Sequence, residues 1–184
     1  LAAVAATRAA GAPFEAARAA LGRYTGAARR FHLRGEAGGV TIVDDYAHHP
    51  TEVAATLAAA RLGRWTRVVA VFQPHLYSRT RAFAPELGRA LAAADVVLVT
   101  DVYAAREDPQ PGVDGALVVA AALEARPSLD CAYVPDRNQL AKHVASVVQA
   151  GDLLLTLGAG DITTLADEVV ELLPRGRGEG GGPG

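Results

Sequence analysis

The sequence predicts an α/β fold in which helices cover both faces of a mostly parallel, doubly wound sheet. Short apolar runs rich in valine and leucine recur along the chain, and a helix-like segment of about a dozen residues follows each run. The runs are continuous rather than alternating, as is typical of strands buried on both faces of a parallel sheet. With 184 residues, the chain is long enough for one such domain with a substantial core.

Predicted strands and helices alternate from residue 40 onward. The strands are expected at "VTIV" (40–43), "RVVAVF" (67–72), "ADVVLVT" (94–100), "CAYV" (131–134) and "DLLLTL" (152–157). The helices are expected at 50–62, 80–93, 115–125, 137–149 and 161–173. A Gly-Gly turn at 38–39 predicts that "FHLRGE" forms an edge strand antiparallel to 40–43.

The two ends of the chain differ from the alternating region. Residues 1–28 are interpreted as the last helices of a preceding domain, because two helix-like pieces lie there on either side of Gly11. Residues 29–173 form the predicted α/β domain. Residues 174–184, "PRGRGEGGGPG", have almost no apolar side chains, and this composition predicts a disordered tail.

Composition restricts the classes of partner and compartment. The chain is 51% apolar with a net charge of −2, which argues against nucleic acid or an anionic membrane as the main partner. The apolar runs are too short to span a bilayer. The single cysteine excludes an internal disulfide and indicates a reducing cytoplasm. Because methionine is absent and the chain begins with leucine, we expect a fragment of a longer protein.

Polar residues follow the predicted strands. In open parallel sheets, ligands bind beyond the carboxyl ends of the strands. The loops at these ends include "DDYAHHPT", "QPHLYSRTR" and "DVYAAREDPQPG", which are rich in histidine, tyrosine, arginine and aspartate. The sequence therefore predicts a binding site at this edge of the sheet.

Arg79 and Arg81 lie at the start of the predicted helix 80–93. The amino end of a helix carries partial positive charge, so cations are unfavourable there unless an anion is close. A carboxylate of the protein could supply that anion through a surface salt bridge. A ligand carboxylate or phosphate could also supply it, because guanidinium pairs with both in bidentate geometry.

Two further motifs have weaker implications. His48 and His49 are adjacent, and neighbouring residues rarely bind one ion together, so the sequence predicts no metal site. "LGAGDIT" is similar to a dinucleotide fingerprint, but Thr163 stands where the third glycine is needed, which favours a tight turn. The chain contains no G-x-x-x-x-G-K-[ST] loop, so the phosphates of ATP would require another domain.

Five motifs together resemble one known family. "GAARRF", "VDDYAHHPTEV", "VFQPHLYSRTR", "DVYAAREDPQPGVDG" and "LLLTLGAGDIT" occur here in the order and spacing of the C-terminal domain of the Mur ligases. The resemblance covers the chain to about residue 173. It implies a Rossmann-like domain from an ATP-dependent ligase of peptidoglycan synthesis, whose N-terminal and central domains are not in this sequence.

The motifs are most similar to the branch of the family that adds L-alanine to UDP-N-acetylmuramate. The resemblance implies that ATP, with magnesium on its phosphates, phosphorylates the lactyl carboxylate of the sugar nucleotide. The amine of L-alanine then attacks the acyl phosphate. The C-terminal domain would bind the amino acid and close the cleft, and without the other domains we expect it to be inactive.

The resemblance assigns roles to individual residues but no catalytic residue in this chain. Arg30 and Asp45 correspond to ATP contacts, with Arg30 at a phosphate and Asp45 at a ribose hydroxyl. The residues that correspond to the L-alanine pocket are Tyr46, His48 and Arg79, with His75 close by.

One position departs from the family pattern. Many relatives carry arginine after the histidine of "QPH", whereas this chain carries Leu76, so a second guanidinium at the amino acid is in doubt. Arg81 is a candidate substitute.

Other functions remain open at this point. The related ligase that attaches a tripeptide to UDP-N-acetylmuramate during muropeptide recycling shares the fold, although "FQPH" favours the alanine-adding branch. A binding module that kept the fold and lost catalysis is a second alternative, and a nucleotide-binding regulatory domain built on "LGAGDIT" is a third. A Gly-Lys-Thr/Ser loop in an upstream domain would favour a ligase.

Overall fold

The computed structural model describes residues 2–24 and 26–174. It confirms the predicted fold class, with a six-stranded sheet and helices on both faces. The predicted tail lies outside the described residues except for Pro174, whose carbonyl accepts a hydrogen bond of 2.8 Å from the N–H of Gly38. Within the described ranges, no helix combines the length and apolar character needed to cross a bilayer.

Strands and helices alternate as predicted after an amino-terminal helix pair. The strands are β1 (His32–Ala37), β2 (Val40–Asp45), β3 (Val68–Phe72), β4 (Val96–Val99), β5 (Asp130–Tyr133) and β6 (Leu153–Leu157). The helices are α1 (Ala2–Ala9), α2 (Phe14–Gly22), α3 (Pro50–Ala60), α4 (Tyr77–Leu91), α5 (Gly115–Ala125), α6 (Arg137–Val147) and α7 (Leu165–Leu172), with a 3-10 turn at Asp161–Thr164.

The strand order in the sheet is β1-β2-β6-β3-β4-β5. Only the predicted edge strand β1 is antiparallel, and it pairs with β2. The last strand, β6, inserts between β2 and β3, with Leu157 opposite both Asp45 and Phe72. The loops that follow β2, β6, β3 and β4 therefore leave the sheet side by side at one edge.

Apolar side chains form a core on each face of the sheet. Helices α3, α4 and α5 cover one core, whose largest members include Leu57, Phe72, Leu87 and Leu91. Helices α6 and α7 cover the other core, whose members include Ile42, Val71, Leu140, Leu154 and Val169. Every residue of β3 and β6 is buried, which explains why their sequences are continuously apolar.

Helix α4 begins three residues earlier than predicted, at Tyr77 rather than at residue 80. The carboxylate of Glu107, from the loop after β4, accepts the backbone N–H of Ser78 at 2.8 Å and also bonds the Ser78 hydroxyl. A residue from a distant part of the chain thus supplies an acceptor for a free N–H group in the first turn of the helix. The start of the helix could therefore not be predicted from local sequence.

Candidate functional site

Loops after β3 and β4 are joined at the carboxyl edge of the sheet. The N–H of Tyr103 donates to the carbonyl of Pro74 at 2.8 Å, and the N–H of Leu76 donates to the carbonyl of Tyr103 at 3.0 Å. These bonds place His75 and Tyr103 side by side in a short parallel bridge. The two loops therefore form one continuous wall.

Four aromatic side chains lie in sequence along this wall and the neighbouring turn after β2, and we call Tyr46, His48, His75 and Tyr103 the aromatic row. The ring centroids of Tyr46 and His48 are 5.2 Å apart, and those of His48 and His75 are 5.8 Å apart. His75 and Tyr103 are stacked at 5.7 Å. Sequence reasoning named the first three residues and missed Tyr103, whose only signal was its place in the loop "DVYAARE".

Arg79 extends from the first turn of α4 beside the aromatic row. Its Nη1 atom is buried, and no hydrogen-bond partner for it lies among the described residues. The Nδ1 atom of His75 is also buried and has no described hydrogen-bond partner. Glu107, the carboxylate nearest the start of α4, bonds Ser78 and makes no described salt bridge with Arg79. A buried guanidinium nitrogen without a partner suits a ligand that brings its own anion.

The charge state of His75 is set by its surroundings. Burial is the main cause that lowers the pKa of His75, and the positive charges of Arg79 and His48 lower it further. Glu107 acts in the opposite direction but does not compensate. His75 is therefore neutral at physiological pH, and Arg79 is the cation that acts most strongly on it.

The stretch "DDYAHHPT" forms the turn into α3. His49 is the N-cap residue, Pro50 is the first helical residue, and Glu52 completes a capping box. Burial acts to raise the pKa of Glu52, but the backbone N–H groups of His48 and His49 and the charges of His48 and Arg30 together outweigh it, so the pKa lies below its usual value. The ring of His49 packs against Phe83, with 5.0 Å between centroids.

His48 takes its orientation from the same turn. Its Nδ1 lies 2.9 Å from the carbonyl oxygen of Tyr46, which can only accept, so Nδ1 carries the proton in the neutral ring. The other ring nitrogen, Nε2, is then a hydrogen-bond acceptor. The two adjacent histidines therefore have different roles, since His49 caps a helix and His48 belongs to the aromatic row.

Asp45 and Arg30 lie next to the aromatic row rather than in it. The buried carboxylate of Asp45 accepts the N–H of Ala47 and the N–H of Phe31, both at 2.8 Å. Arg30 is exposed, and its guanidinium carbon is 5.8 Å from the centroid of the Tyr46 ring. Arg30, Asp45 and Glu52 line a cavity of about 400 Å³ on the side of α3.

Leu76 and Arg81 complete the set of residues singled out in the sequence. Leu76 is the N-cap residue of α4 and has a positive φ of 69°, an uncommon conformation for a branched side chain. Arg81 is exposed and lines a groove between α4 and α5 with Gly112 and Leu117. Arg81 therefore lies on a different surface from Arg79.

The glycine-rich turn "LGAGDIT" packs against the protein itself. The side chain of Gln73 donates to Asp161 at 2.7 Å and accepts the N–H of Ile162 at 3.2 Å. A Cβ atom on Gly160 would lie 2.5 Å from Cγ of Tyr103. The need for glycine at this turn is therefore explained by close packing, in agreement with the prediction of a tight turn.

Side chains that could bind a metal ion are not grouped in the part of the chain that the structure describes. Within residues 2–24 and 26–174, no three or more histidine, cysteine, aspartate or glutamate side chains are placed to hold an ion. The carboxylates of Asp45, Glu52 and Glu107 already accept N–H groups of the protein. These residues do not fit a magnesium site formed by this chain alone.

Comparison with known proteins agrees with this architecture. Residues 29–160 match the family described as Mur ligase, glutamate ligase domain. The chain is 61% identical over 154 residues to the UDP-N-acetylmuramate–L-alanine ligase of Kineococcus radiotolerans, a match that covers 83% of this chain and 32% of that protein. The chain spans about a third of the length of the curated relatives it matches.

Two solved structures are similar to the whole domain. The crystal structure of UDP-N-acetylmuramate-alanine ligase from Thermotoga maritima is 25% identical with a TM-score of 0.74, over 92% of this chain and 35% of that chain. A murein peptide ligase from Psychrobacter arcticus shares the fold at 24% identity and a TM-score of 0.65, over 91% of this chain and 34% of that chain. On the match to residues 29–160, the chain belongs to the Mur ligase family, within its glutamate ligase domain.

Proposed function

We propose that this chain is the amino-acid-binding part of an ATP-dependent ligase that joins L-alanine to UDP-N-acetylmuramate in peptidoglycan synthesis. The observation that carries the proposal is the buried Nη1 of Arg79, which has no described partner and lies beside the aromatic row. Relatives of this chain that carry the name of this ligase support the choice of substrates. The single cysteine, Cys131, is consistent with a cytoplasmic location.

L-Alanine fits the chemistry of this wall in one orientation. Its carboxylate pairs with Arg79, whose buried Nη1 has no described protein partner. Its amino group then faces the accepting Nε2 of His48, because Nδ1 of that ring is bonded to the carbonyl of Tyr46.

The reaction in the full-length protein has two steps. The γ-phosphate of ATP is transferred to the lactyl carboxylate of UDP-N-acetylmuramate, which gives an acyl phosphate and ADP. The neutral amine of L-alanine attacks the acyl carbon, a C–N bond forms, and phosphate leaves. This chain contributes the position of the amine, and correct orientation of two reactants lowers the barrier by several kcal/mol.

ATP contacts this domain at the cavity beside α3. Arg30 is exposed there and reaches a phosphate, while Asp45 keeps lone pairs that can accept from a ribose hydroxyl. Magnesium and the remaining phosphate contacts belong to the central domain, of which residues 1–28 are the end. Residues 29–173 would then move as one body when the cleft closes.

The full-length protein provides the test. With ATP and UDP-N-acetylmuramate present, L-alanine should be consumed and a product of the combined mass, less water, should appear by mass spectrometry. If the tripeptide L-alanyl-γ-D-glutamyl-meso-diaminopimelate is used in preference, the protein is the recycling ligase, since a murein peptide ligase also shares the fold. If neither is used, the domain is a binding module.

Substitutions at the two sites should separate their roles. Arg79→Met should raise the KM for L-alanine by about ten- to a hundredfold, since a charge-assisted pair contributes about 1.5–3 kcal/mol, and should change the KM for ATP much less. Asp45→Ala should show the reverse pattern. Arg81→Met is the matched control, because that arginine lines the groove between α4 and α5. An Arg79→Met enzyme that weakens ATP instead would assign Arg79 to phosphate.

A further inference from the structure

Arg29 connects the segment before β1 to the ends of two other strands. Its Nε is 3.2 Å from the buried carboxylate of Asp44, at the end of β2. Its Nη2 donates to the carbonyl of Gly158 at 2.6 Å and lies 3.4 Å from the carbonyl of Gly160, after β6. The guanidinium also lies over the Tyr46 ring, 4.8 Å from its centroid. One side chain therefore contacts three parts of the carboxyl edge.

The backbone around Arg29 is held in an uncommon conformation. Arg29 and Phe31 have positive φ values of 56° and 45°, which side chains other than glycine rarely adopt. The carbonyl of Arg29 accepts the N–H of Tyr46 at 2.8 Å, and the N–H of Phe31 donates to Asp45 at 2.8 Å. We call residues 29–31 the clip, because contacts at both ends fix its shape.

Arg30 is the middle residue of the clip. Its two neighbours are bonded to the domain, whereas its own side chain is exposed and lines the cavity shared with Asp45 and Glu52. The positive charge of Arg30 acts on this cavity, since it helps to lower the pKa of Glu52. The direction of Arg30 is thus set by the clip, and the clip is held by Arg29.

We propose that Arg29 is a positioning residue for both substrates: it holds the clip so that Arg30 faces a nucleotide phosphate while Tyr46 faces the amino acid. This inference rests on the proposed function, because it concerns the two sites described there. Since Arg29 contacts Tyr46 directly and Arg30 through the backbone, loss of its side chain affects the binding of both ligands.

The fold of the domain should not depend on the side chain of Arg29 alone. Asp44 also accepts the hydroxyls of Thr156 at 2.7 Å and Thr163 at 2.8 Å, so its carboxylate keeps two donors without Arg29. The domain should therefore still fold in the Arg29→Gln variant. Should that variant prove too unstable at the assay temperature, Arg29→Gln is combined with Asp44→Asn, which removes the buried charge as well.

The test is a double-mutant cycle in the full-length ligase with ATP and L-alanine. Arg29→Gln should raise the KM for ATP about tenfold and the KM for L-alanine about threefold or more. Because Arg29 acts on ATP through Arg30, the double variant Arg29→Gln/Arg30→Gln should have an ATP KM within about twofold of Arg30→Gln alone. The proposal would be overturned if the increases in the ATP KM of Arg29→Gln and Arg30→Gln multiplied in the double variant. An unchanged ATP KM in Arg29→Gln would also overturn it.

Two comparisons keep the result specific. Arg61→Gln is the matched control, because Arg61 also combines an ion pair, to Asp95, with a hydrogen bond to a backbone carbonyl, that of Ala93, but at the amino end of the sheet. Its KM values should equal those of the wild type. Amide hydrogen exchange at Phe31 and Tyr46 in the chain should accelerate in Arg29→Gln and not in Arg61→Gln. If the wild type forms no product, the proposed function fails; if it does and the cycle is additive, only this inference fails.

Discussion

The two ends of the central sheet are built differently. At the amino end, Asp152 precedes β6 and receives both Nε and Nη2 of Arg67, at 3.0 and 2.7 Å, and the N–H of Gln149 at 2.8 Å. Asp95 precedes β4 and is likewise held by Arg61 and by the N–H of Val68. The carboxylates of Asp152 and Asp95 therefore both have partners within the protein.

The carboxyl end has strained and unpaired groups. All four described residues other than glycine with positive φ lie there, namely Arg29, Phe31, Leu76 and Ala105. Five of the six buried side-chain atoms without a described hydrogen-bond partner also lie there, and Nε of Arg126 at the amino end is the exception. Strained backbone and unpaired polar groups cluster at functional sites, so the contrast favours the carboxyl end as the end at which we propose that ligands bind.

The largest effect should come from breaking an ion pair at the amino end. Asp152→Ala leaves the N–H of Gln149 and the guanidinium of Arg67 without their main acceptor, so it should lower the free energy of unfolding by about 3 kcal/mol. Urea denaturation of this chain measures the change. Asp130→Ala is the matched control, since this exposed aspartate at the start of β5 should contribute less than about 0.5 kcal/mol.

A smaller effect is expected from crowding the carboxyl end. Gly160→Ala places a methyl group against the Tyr103 ring, so we expect a loss of about 1–3 kcal/mol, together with a displaced aromatic row. Near-ultraviolet circular dichroism would report the tyrosine. Gly22→Ala tests the background, because a Cβ there meets no atom within 4 Å and alanine favours the helix. Equal effects of the two changes would contradict the packing argument.

The pH dependence of stability should identify His75. Its folded-state pKa is lowered from 6.5, by burial first and then by Arg79 and His48, so the unfolded chain takes up a proton more readily. Stability from this group is complete above the unfolded value of 6.5 and decreases as the pH falls below it. His75→Gln should therefore reduce the fall in Tm between pH 7.5 and 5.5.

A second histidine controls for general acid effects. His143→Gln, at an exposed position on α6, is the matched substitution against which the change in His75→Gln is compared. The lowered pKa values of Glu52 and Glu107 affect a separate window, because their contribution is lost only as the pH falls toward 4.5 and below. A wild-type slope in the His75→Gln variant would show that its protonation is not coupled to folding.

The strands and most helices could be predicted because their signals are local. Continuous valine and leucine runs identified β3 and β6, and the turn at Gly38 and Gly39 identified β1. The start of α4 could not be predicted, since it depends on Glu107, 29 residues after Ser78. The sequence also does not show that β6 inserts between β2 and β3.

Local sequence predicted the members of the candidate site only where they lie in a single loop. Tyr46 and His48 lie in a single strand-to-helix turn, and motif resemblance named His75 and Arg79. The contacts of Arg29 include a hydrogen bond to the carbonyl of Gly158, 129 residues away. The position of Tyr103 beside the other rings depends on its bridge to His75. Such pairings come from the order of strands in the sheet, which local patterns do not encode.

The unfolding free energy of Arg79→Met, measured against Arg67→Met in this chain, tests most directly the claim that the carboxyl end keeps a cation for a ligand. Methionine retains most of the apolar stem in both variants. Arg67→Met should destabilise the chain by about 2–3 kcal/mol, because it removes the charged partner of buried Asp152. Arg79→Met should leave stability unchanged or raise it, since Nη1 has no described partner to lose. Equal destabilisation by both substitutions would contradict the account and assign Arg79 to the fold.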